Sequence, residues 1–100
     1  MNLLARQKRF EQTLIEEDLD GFLVTYPANL HYLCGYTGSN GLLLFANGRR
    51  VFYTDGRYAE QAREEVKGAR VVIAKGTLIA EAAKLLGKLN NVGIDSEFGA

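Results

Sequence analysis

The sequence is poor in several residue types: it has one cysteine, one proline, one histidine and no tryptophan. Cys34 has no partner within the chain for a disulfide, which favours a reducing, cytoplasmic compartment. Twelve Lys and Arg balance twelve Asp and Glu, so net charge indicates neither nucleic-acid nor membrane-surface binding. No apolar run reaches the length of a membrane span or a signal-peptide core. We therefore expect a cytoplasmic protein with no nucleic-acid or membrane partner.

What the chain does contain is an alternation of helical and strand-like segments within one domain-sized length, residues 1–100, of which 47% are hydrophobic. The predicted order is helix, strand, short helix, two strands, helix, strand, helix, strand, with the first strand over 22–26. The dipeptide Asn47-Gly48 lies between two apolar runs, 42–45 and 50–54, and predicts an antiparallel hairpin. This order predicts an α/β fold with a mixed sheet and helices on both faces.

Single residues mark where the predicted helices begin and end. Asn2, Asp55 and Thr77 are typical N-cap residues, and the helix that Asp55 caps is expected to run through Val66 and to be closed by Gly68. Pro27 suits the first turn of the short helix, because the N–H it lacks would be unpaired there. Gly35 is the expected stop of that helix.

Two residues of the short helix raise the question of nucleophilic chemistry. His31 has no second histidine and no acidic neighbour at metal-ligand spacing, which favours an ordinary hydrogen-bonded histidine. Cys34 lies three residues further on, close enough to meet His31 on one helical face. No other group in the sequence supplies an oxyanion hole or an orienting acid. An inert cysteine packed behind the following loop is therefore the favoured interpretation.

The segment 35–41, GYTGSNG, has three glycines in seven residues. It precedes a strand and lacks the lysine of a P-loop, so it is a poor phosphate cradle. Its glycines permit close approach, Tyr36 offers an apolar ring with a hydroxyl, and the polar side chains offer hydrogen bonds. The candidate binding residues are Tyr36, Thr37, Gly38, Ser39 and Asn40. A ligand-facing loop and a plain structural turn both fit this pattern.

The segment TDGRY at 54–58 carries an acid, a base and a phenol at a helix start. Asp55 is most simply a cap, and Arg57 can pair with Asp55 or with Glu60. The remaining acids fall in patterns typical of solvated helix faces. No His, Asp and Glu set has metal-ligand spacing, so the residues alone predict neither a catalytic group nor a metal site in this chain.

Four segments keep a characteristic order and spacing: LDGFLVT at 19–25, PANLHYL at 27–33, GYTGSNG at 35–41, and YTDGRY at 53–58 followed by Gln61-Ala62. Together they resemble the creatinase/prolidase amino-terminal domain of Xaa-Pro aminopeptidases (aminopeptidase P) and Xaa-Pro dipeptidases (prolidase). Each segment alone is a weak signal. The four in register over most of the chain are a specific one.

The resemblance implies a proline-specific hydrolase of two domains. Its carboxy-terminal pita-bread domain would bind two divalent ions (Mn, Co or Zn) through two Asp, one His and two Glu, none of which lies in this sequence. The chain alone is therefore expected to be inactive, with its own catalytic domain and a second subunit of a homodimer or tetramer as partners. The resemblance also implies that loop 35–41 lies near a neighbouring subunit's active site and walls the pocket for a proline-containing peptide.

Related domains continue past residues 92–95 with another helix and strand, so the resemblance implies a sheet truncated at its carboxy-terminal edge, near residues 98–100. Two other interpretations stay open. The chain could be a protein-interaction module of a metal-free pita-bread relative, such as a histone-chaperone subunit, or a small stand-alone ligand-binding domain. Five metal ligands downstream would favour the peptidase, and their absence would favour the module.

Overall fold

The structure, a computed structural model, describes residues 2–95. Its helices and strands are, in chain order, α1 (Leu3–Glu16), β1 (Gly21–Val24), α2 (Pro27–Cys34), β2 (Leu42–Ala46), β3 (Arg49–Asp55), a 3₁₀ turn (Gly56–Tyr58), α3 (Ala59–Glu65), β4 (Arg70–Ala74), α4 (Leu78–Leu86) and β5 (Val92–Ile94). The predicted order of elements is confirmed. The expectation of a truncated edge near residues 98–100 lies outside the described residues.

The five strands form one mixed sheet in the order β4-β3-β2-β1-β5. β2 pairs antiparallel with β1 and β3, whereas β4 and β5 pair in parallel with β3 and β1. The β2–β3 turn places Asn47 at φ 48° and Gly48 at φ 84°, the left-handed conformations that a tight hairpin turn requires. The predicted antiparallel hairpin and mixed sheet are thus confirmed.

Helices cover both faces of the sheet. Residues from α1, α2 and α3 pack on one face around Phe45 and Phe52. α4 packs on the other face, where Ala82 meets Leu44 and Tyr53. All of β2 is buried, because a central strand covered on both sides needs apolar residues at every position.

The helix ends follow the sequence signals closely. Asn2 Oδ1 accepts a hydrogen bond from Leu4 N at 2.9 Å, and Thr77 Oγ1 accepts one from Ala80 N at 3.2 Å. α2 begins at Pro27, and Gly35, at φ 88°, ends it in the left-handed conformation. These bonds satisfy backbone groups that a helix leaves unpaired at its ends.

Two boundaries differ from the prediction. The helix expected to run from Asp55 to Gly68 is a 3₁₀ turn followed by α3, which ends at Glu65 because Val66 is extended, at ψ 127°. β1 ends at Val24 and does not reach residue 26, because the next two backbone amides bond to the Asp95 carboxylate. Local propensity does not reveal the second of these causes, because Asp95 lies about seventy residues from the end of β1.

Several loops lie together at one end of the sheet. β1, β3, β4 and β5 end there and β2 begins there, since Val24 pairs with Leu43 and Leu42 pairs with Tyr53. Loop 35–41 therefore lies between the end of β1 and the end of β3. Among the described residues, no helix is both long and apolar enough to cross a membrane.

Candidate functional site

Tyr36 lies underneath loop 35–41 and not on its surface. Its side chain is only 1% exposed, and its ring packs against Phe52 with the ring centroids 4.6 Å apart. Its hydroxyl donates a hydrogen bond to the Ser39 carbonyl oxygen at 2.6 Å. The sequence suggested that this ring would be offered to a ligand. The structure shows that the ring supports the loop from within the core.

Two glycines of the loop are needed for close approach to this ring. A Cβ at Gly38 would lie 2.5 Å from the Tyr36 hydroxyl oxygen, and one at Gly41 would lie 2.8 Å from the Tyr36 ring. Real Cβ atoms do not come this close to other heavy atoms, so a larger residue at either position would displace the loop. The backbone of loop 35–41 therefore packs directly against the Tyr36 side chain, and residue 39 is at the tip of the loop.

The first anchor of the loop is Glu65, at the end of α3. Its two carboxylate oxygens accept hydrogen bonds from Thr37 N at 2.7 Å and from Thr37 Oγ1 at 2.8 Å. Gln61 Nε2 also donates to Glu65, at 3.2 Å. The hydrogen bond from the Thr37 amide is the main cause that lowers the Glu65 pKa below its usual value. The anchor is therefore a charge-assisted one.

The second anchor is Asp55, at the end of β3. Asn40, in the left-handed conformation at φ 51°, donates its side-chain amide to Asp55, and its carbonyl accepts from Thr54 Oγ1 at 2.7 Å. Asp55 also accepts from Arg57 N at 2.8 Å and from Arg57 Nε at 3.0 Å. Hydrogen bonds from the Arg57 and Asn40 side chains lower the Asp55 pKa, so this carboxylate stays ionised. The predicted cap is confirmed, and Arg57 pairs with Asp55, not with Glu60.

Between the two anchors, the loop presents a short polar surface. Thr37, Ser39 and Asn40 are exposed, while Gly38 is half-buried. Thr37 and Asn40 already use their side chains to hold the loop. Within residues 2–95, the Ser39 side chain makes no hydrogen bond, so it is free to contact another molecule. The loop thus offers a fixed surface and one uncommitted hydroxyl, but no catalytic group.

Beside this loop, Asp95 joins the end of β5 to the start of α2. Its carboxylate accepts from Thr25 N at 2.9 Å, Thr25 Oγ1 at 2.7 Å, Tyr26 N at 3.0 Å and Asn29 Nδ2 at 3.0 Å. Burial raises the pKa of Asp95, but these hydrogen bonds together outweigh it and lower the pKa. The sequence did not point to this cluster, because its members lie about seventy residues apart in the chain.

The two residues considered for nucleophilic chemistry do not form a site. His31 is exposed on α2, and Cys34 is fully buried. Burial, with a smaller contribution from the Glu65 charge, raises the Cys34 pKa to about 11, so the thiol stays protonated and unreactive. The structure confirms a packed cysteine. Within residues 2–95, no three His, Cys, Asp or Glu side chains come together as metal ligands would.

Comparison with known proteins agrees with this arrangement. The model of the creatinase/prolidase N-terminal domain family matches residues 6–98. An uncharacterized peptidase of Bacillus subtilis, YqhT, is 42% identical over 65 residues, which is 65% of this chain and 18% of YqhT. The Xaa-Pro dipeptidase of Bacillus anthracis superposes with a TM-score of 0.88 at 29% identity and covers 97% of this chain. The Xaa-Pro aminopeptidase of Streptococcus thermophilus superposes with a TM-score of 0.80 at 32% identity over 95% of this chain and 75% of its own.

The chain spans only a minor part of the longer relatives: 18% of YqhT and 28% of the Bacillus anthracis dipeptidase. The match nevertheless extends over nearly all of the present sequence, and the structural agreement covers the mixed sheet and its helices. The family implied by the four sequence segments is therefore the right one. The chain belongs to the creatinase/prolidase N-terminal domain family.

Proposed function

We propose that this chain is the non-catalytic N-terminal domain of an Xaa-Pro metallopeptidase, an aminopeptidase or a dipeptidase. The family match and the similarity to an Xaa-Pro dipeptidase and an Xaa-Pro aminopeptidase support this proposal. No metal-ligand set is found among residues 2–95, so the described residues do not fit two divalent ions. Hydrolysis, with two ions (Mn, Co or Zn), would belong to a downstream catalytic domain. The isolated chain is expected to lack peptidase activity.

We further propose that loop 35–41 walls the substrate pocket of a neighbouring subunit in a homodimer or tetramer. The observation that carries this proposal is the double anchoring of an exposed loop. Glu65 holds Thr37, and Asp55 holds Asn40, both through ionised carboxylates. Hydrogen bonds to ionised groups are stronger than those between neutral groups, and here they hold both ends of the loop.

A loop held in this way suits the recognition of a peptide. Because the loop is ordered before binding, ordering it costs little affinity when a ligand arrives. The Ser39 hydroxyl can donate to a peptide carbonyl or accept from a peptide N–H. A proline-containing peptide, the proposed substrate, lacks one of its N–H groups and so relies on its carbonyl and terminal groups for hydrogen bonding.

The test is to add bulk to the free tip of the loop in the longer protein proposed to contain this chain. Ser39→Trp places a large ring where the pocket wall would be, and Gln12→Trp places the same ring on the exposed surface of α1. We expect kcat/KM for an Xaa-Pro dipeptide to fall at least about tenfold in Ser39→Trp alone, because a displaced substrate loses its reactive geometry. Metal content and Tm should match those of the control.

Unchanged kinetics in Ser39→Trp would contradict the role of the loop without touching the family assignment. The proposed location is the cytoplasm, supported by the buried free thiol of Cys34. An interaction module of a metal-free relative is the alternative function. It predicts that the downstream sequence lacks the five metal ligands and that no Xaa-Pro peptide is cleaved.

A further inference from the structure

A groove of about 570 Å³ lies on the α4 face of the sheet, between α4 and strands β3 and β4. Its apolar floor includes Val51, Val72 and Leu85. A second depression of about 310 Å³ adjoins it, since Arg49 and Leu85 line both. Loop 35–41 contributes no residue to either. The groove is therefore separate from the site described above.

Positive side chains line both sides of this groove. Arg70 pairs with Val51 in parallel register, so Arg70 and Arg49 point to the same face of the sheet. On the opposite side, α4 and the residues after it contribute Lys84 and Lys88. Arg49, Arg70 and Lys88 are exposed and make no side-chain hydrogen bond or ion pair within the described part of the chain.

Little negative charge offsets this concentration. The one acid lining the two depressions among the described residues is Glu81, which is paired with Lys84 at 2.9 Å. Arg50 also borders the groove, but its guanidinium pairs with Glu11 of α1 at 2.7 Å. The chain as a whole has no net charge. The groove is therefore a local positive surface on a neutral domain, and it would attract a negatively charged partner.

The shape and lining favour a polypeptide over a phosphate. The cations are spread along an apolar floor, and within residues 2–95 no glycine-rich loop of backbone N–H groups lines the groove. Lys84 lies in the last turn of α4, where the helix carbonyls carry partial negative charge and disfavour a compact anion. Arg guanidinium groups pair well with carboxylates, and Leu85 and Val72 offer contacts for apolar side chains.

We propose that this groove binds an acidic polypeptide segment, with its carboxylates on Arg49 and Arg70 and its apolar side chains on Leu85 and Val72. The probe is a fluorescent peptide in which glutamate and leucine alternate. Its binding to the chain is followed by fluorescence anisotropy at low salt. The test variant is Arg49→Gln/Arg70→Gln. The control, Arg9→Gln/Arg63→Gln, removes the same charge from exposed positions on α1 and α3.

We expect the Arg49/Arg70 variant to bind the peptide about tenfold more weakly and the control to bind it normally. Lys88→Gln should weaken binding about two- to threefold, which provides an independent single variant. A peptide with glutamine in place of glutamate should not bind. Equal weakening in both double variants, or no binding of the acidic peptide, would overturn the proposal. If tripolyphosphate binds more tightly than the peptide and its binding also depends on Arg49 and Arg70, the groove is a phosphate site and the proposal of a peptide site is wrong.

Discussion

The burial of Tyr36 makes a quantitative prediction about stability. Tyr36→Ala removes a ring that is 1% exposed and packs on Phe52, and replacing such a ring with a methyl group costs about 3–5 kcal/mol. Tyr36→Phe keeps the ring and removes the hydrogen bond to the Ser39 carbonyl, which costs about 1 kcal/mol. The free energy of unfolding of a natural domain is only about 5–15 kcal/mol, so Tyr36→Ala removes a large share of the stability.

The matched control is Tyr32, a half-exposed ring on α2 that stacks with the Arg6 guanidinium at 4.4 Å. Tyr32→Ala should cost no more than about 1 kcal/mol, the value of an exposed cation–π contact. Urea unfolding followed by circular dichroism measures all three variants. The free energy of unfolding should fall least in Tyr32→Ala and Tyr36→Phe and most in Tyr36→Ala.

A Tyr36→Ala variant as stable as the wild type would refute this reasoning. The Tyr36 ring would then not be a core residue, and the original expectation of a ligand-facing tyrosine would be restored. Because Tyr36→Ala destabilises the domain, a lower kcat/KM of this variant in a longer protein could come from unfolding as well as from a lost substrate contact. Ser39 is for this reason the better position for a functional test.

Three further predictions concern the loop and the core beneath it. Gly38→Ala should lower the free energy of unfolding by about 1–3 kcal/mol, because the added methyl group meets the Tyr36 hydroxyl. The control is Gly56→Ala, whose methyl group would have no heavy atom within 4 Å and should change that free energy by less than about 0.5 kcal/mol. Thermal unfolding measures both variants. Folding lowers the Glu65 pKa from its ordinary value of 4.5. The stability that ionised Glu65 adds to the folded state is therefore complete above pH 4.5 and is lost as the pH falls through the pKa of the folded state. The stability difference between wild type and Glu65→Gln should therefore be constant near neutral pH and shrink in acid, and a constant difference at every pH would contradict the anchor. Cys34 should resist iodoacetamide at neutral pH until the chain unfolds, because burial raises its pKa to about 11. Labelling is followed by mass spectrometry. Rapid labelling of the folded chain would show that the thiol is accessible.

The parts of the fold set by neighbouring residues could be predicted from the sequence. Asn47-Gly48 defines the hairpin because both residues tolerate positive φ, and Asn2, Gly35 and Thr77 define helix ends through bonds to residues a few positions away. These interactions depend on short spacing, which a sequence displays directly.

The rest depends on contacts between distant parts of the chain. Tyr36 is buried because α3 and β3 close over it, and Asp95 ends β1 through contacts to residues about seventy positions earlier. The Glu65 anchor joins α3 to a loop 28 residues earlier in the sequence. Spacing alone reveals none of these partners. The loop could be chosen as a candidate from its composition, but which of its side chains are free could not.

The central claim is that loop 35–41 acts on the active site of a neighbouring subunit, and mixed oligomers test it most directly. One form of the longer protein carries Ser39→Trp, and the other lacks a metal ligand in its catalytic domain. On an Xaa-Pro dipeptide, the Ser39→Trp form alone should keep at most about a tenth of the wild-type kcat/KM, and the form without the metal ligand should be inactive. After the two are unfolded together and refolded, we expect activity to return, because a working catalytic site then meets an intact loop from its partner. Mixed oligomers no more active than the Ser39→Trp form alone would contradict the claim and would place the loop beside its own subunit's active site.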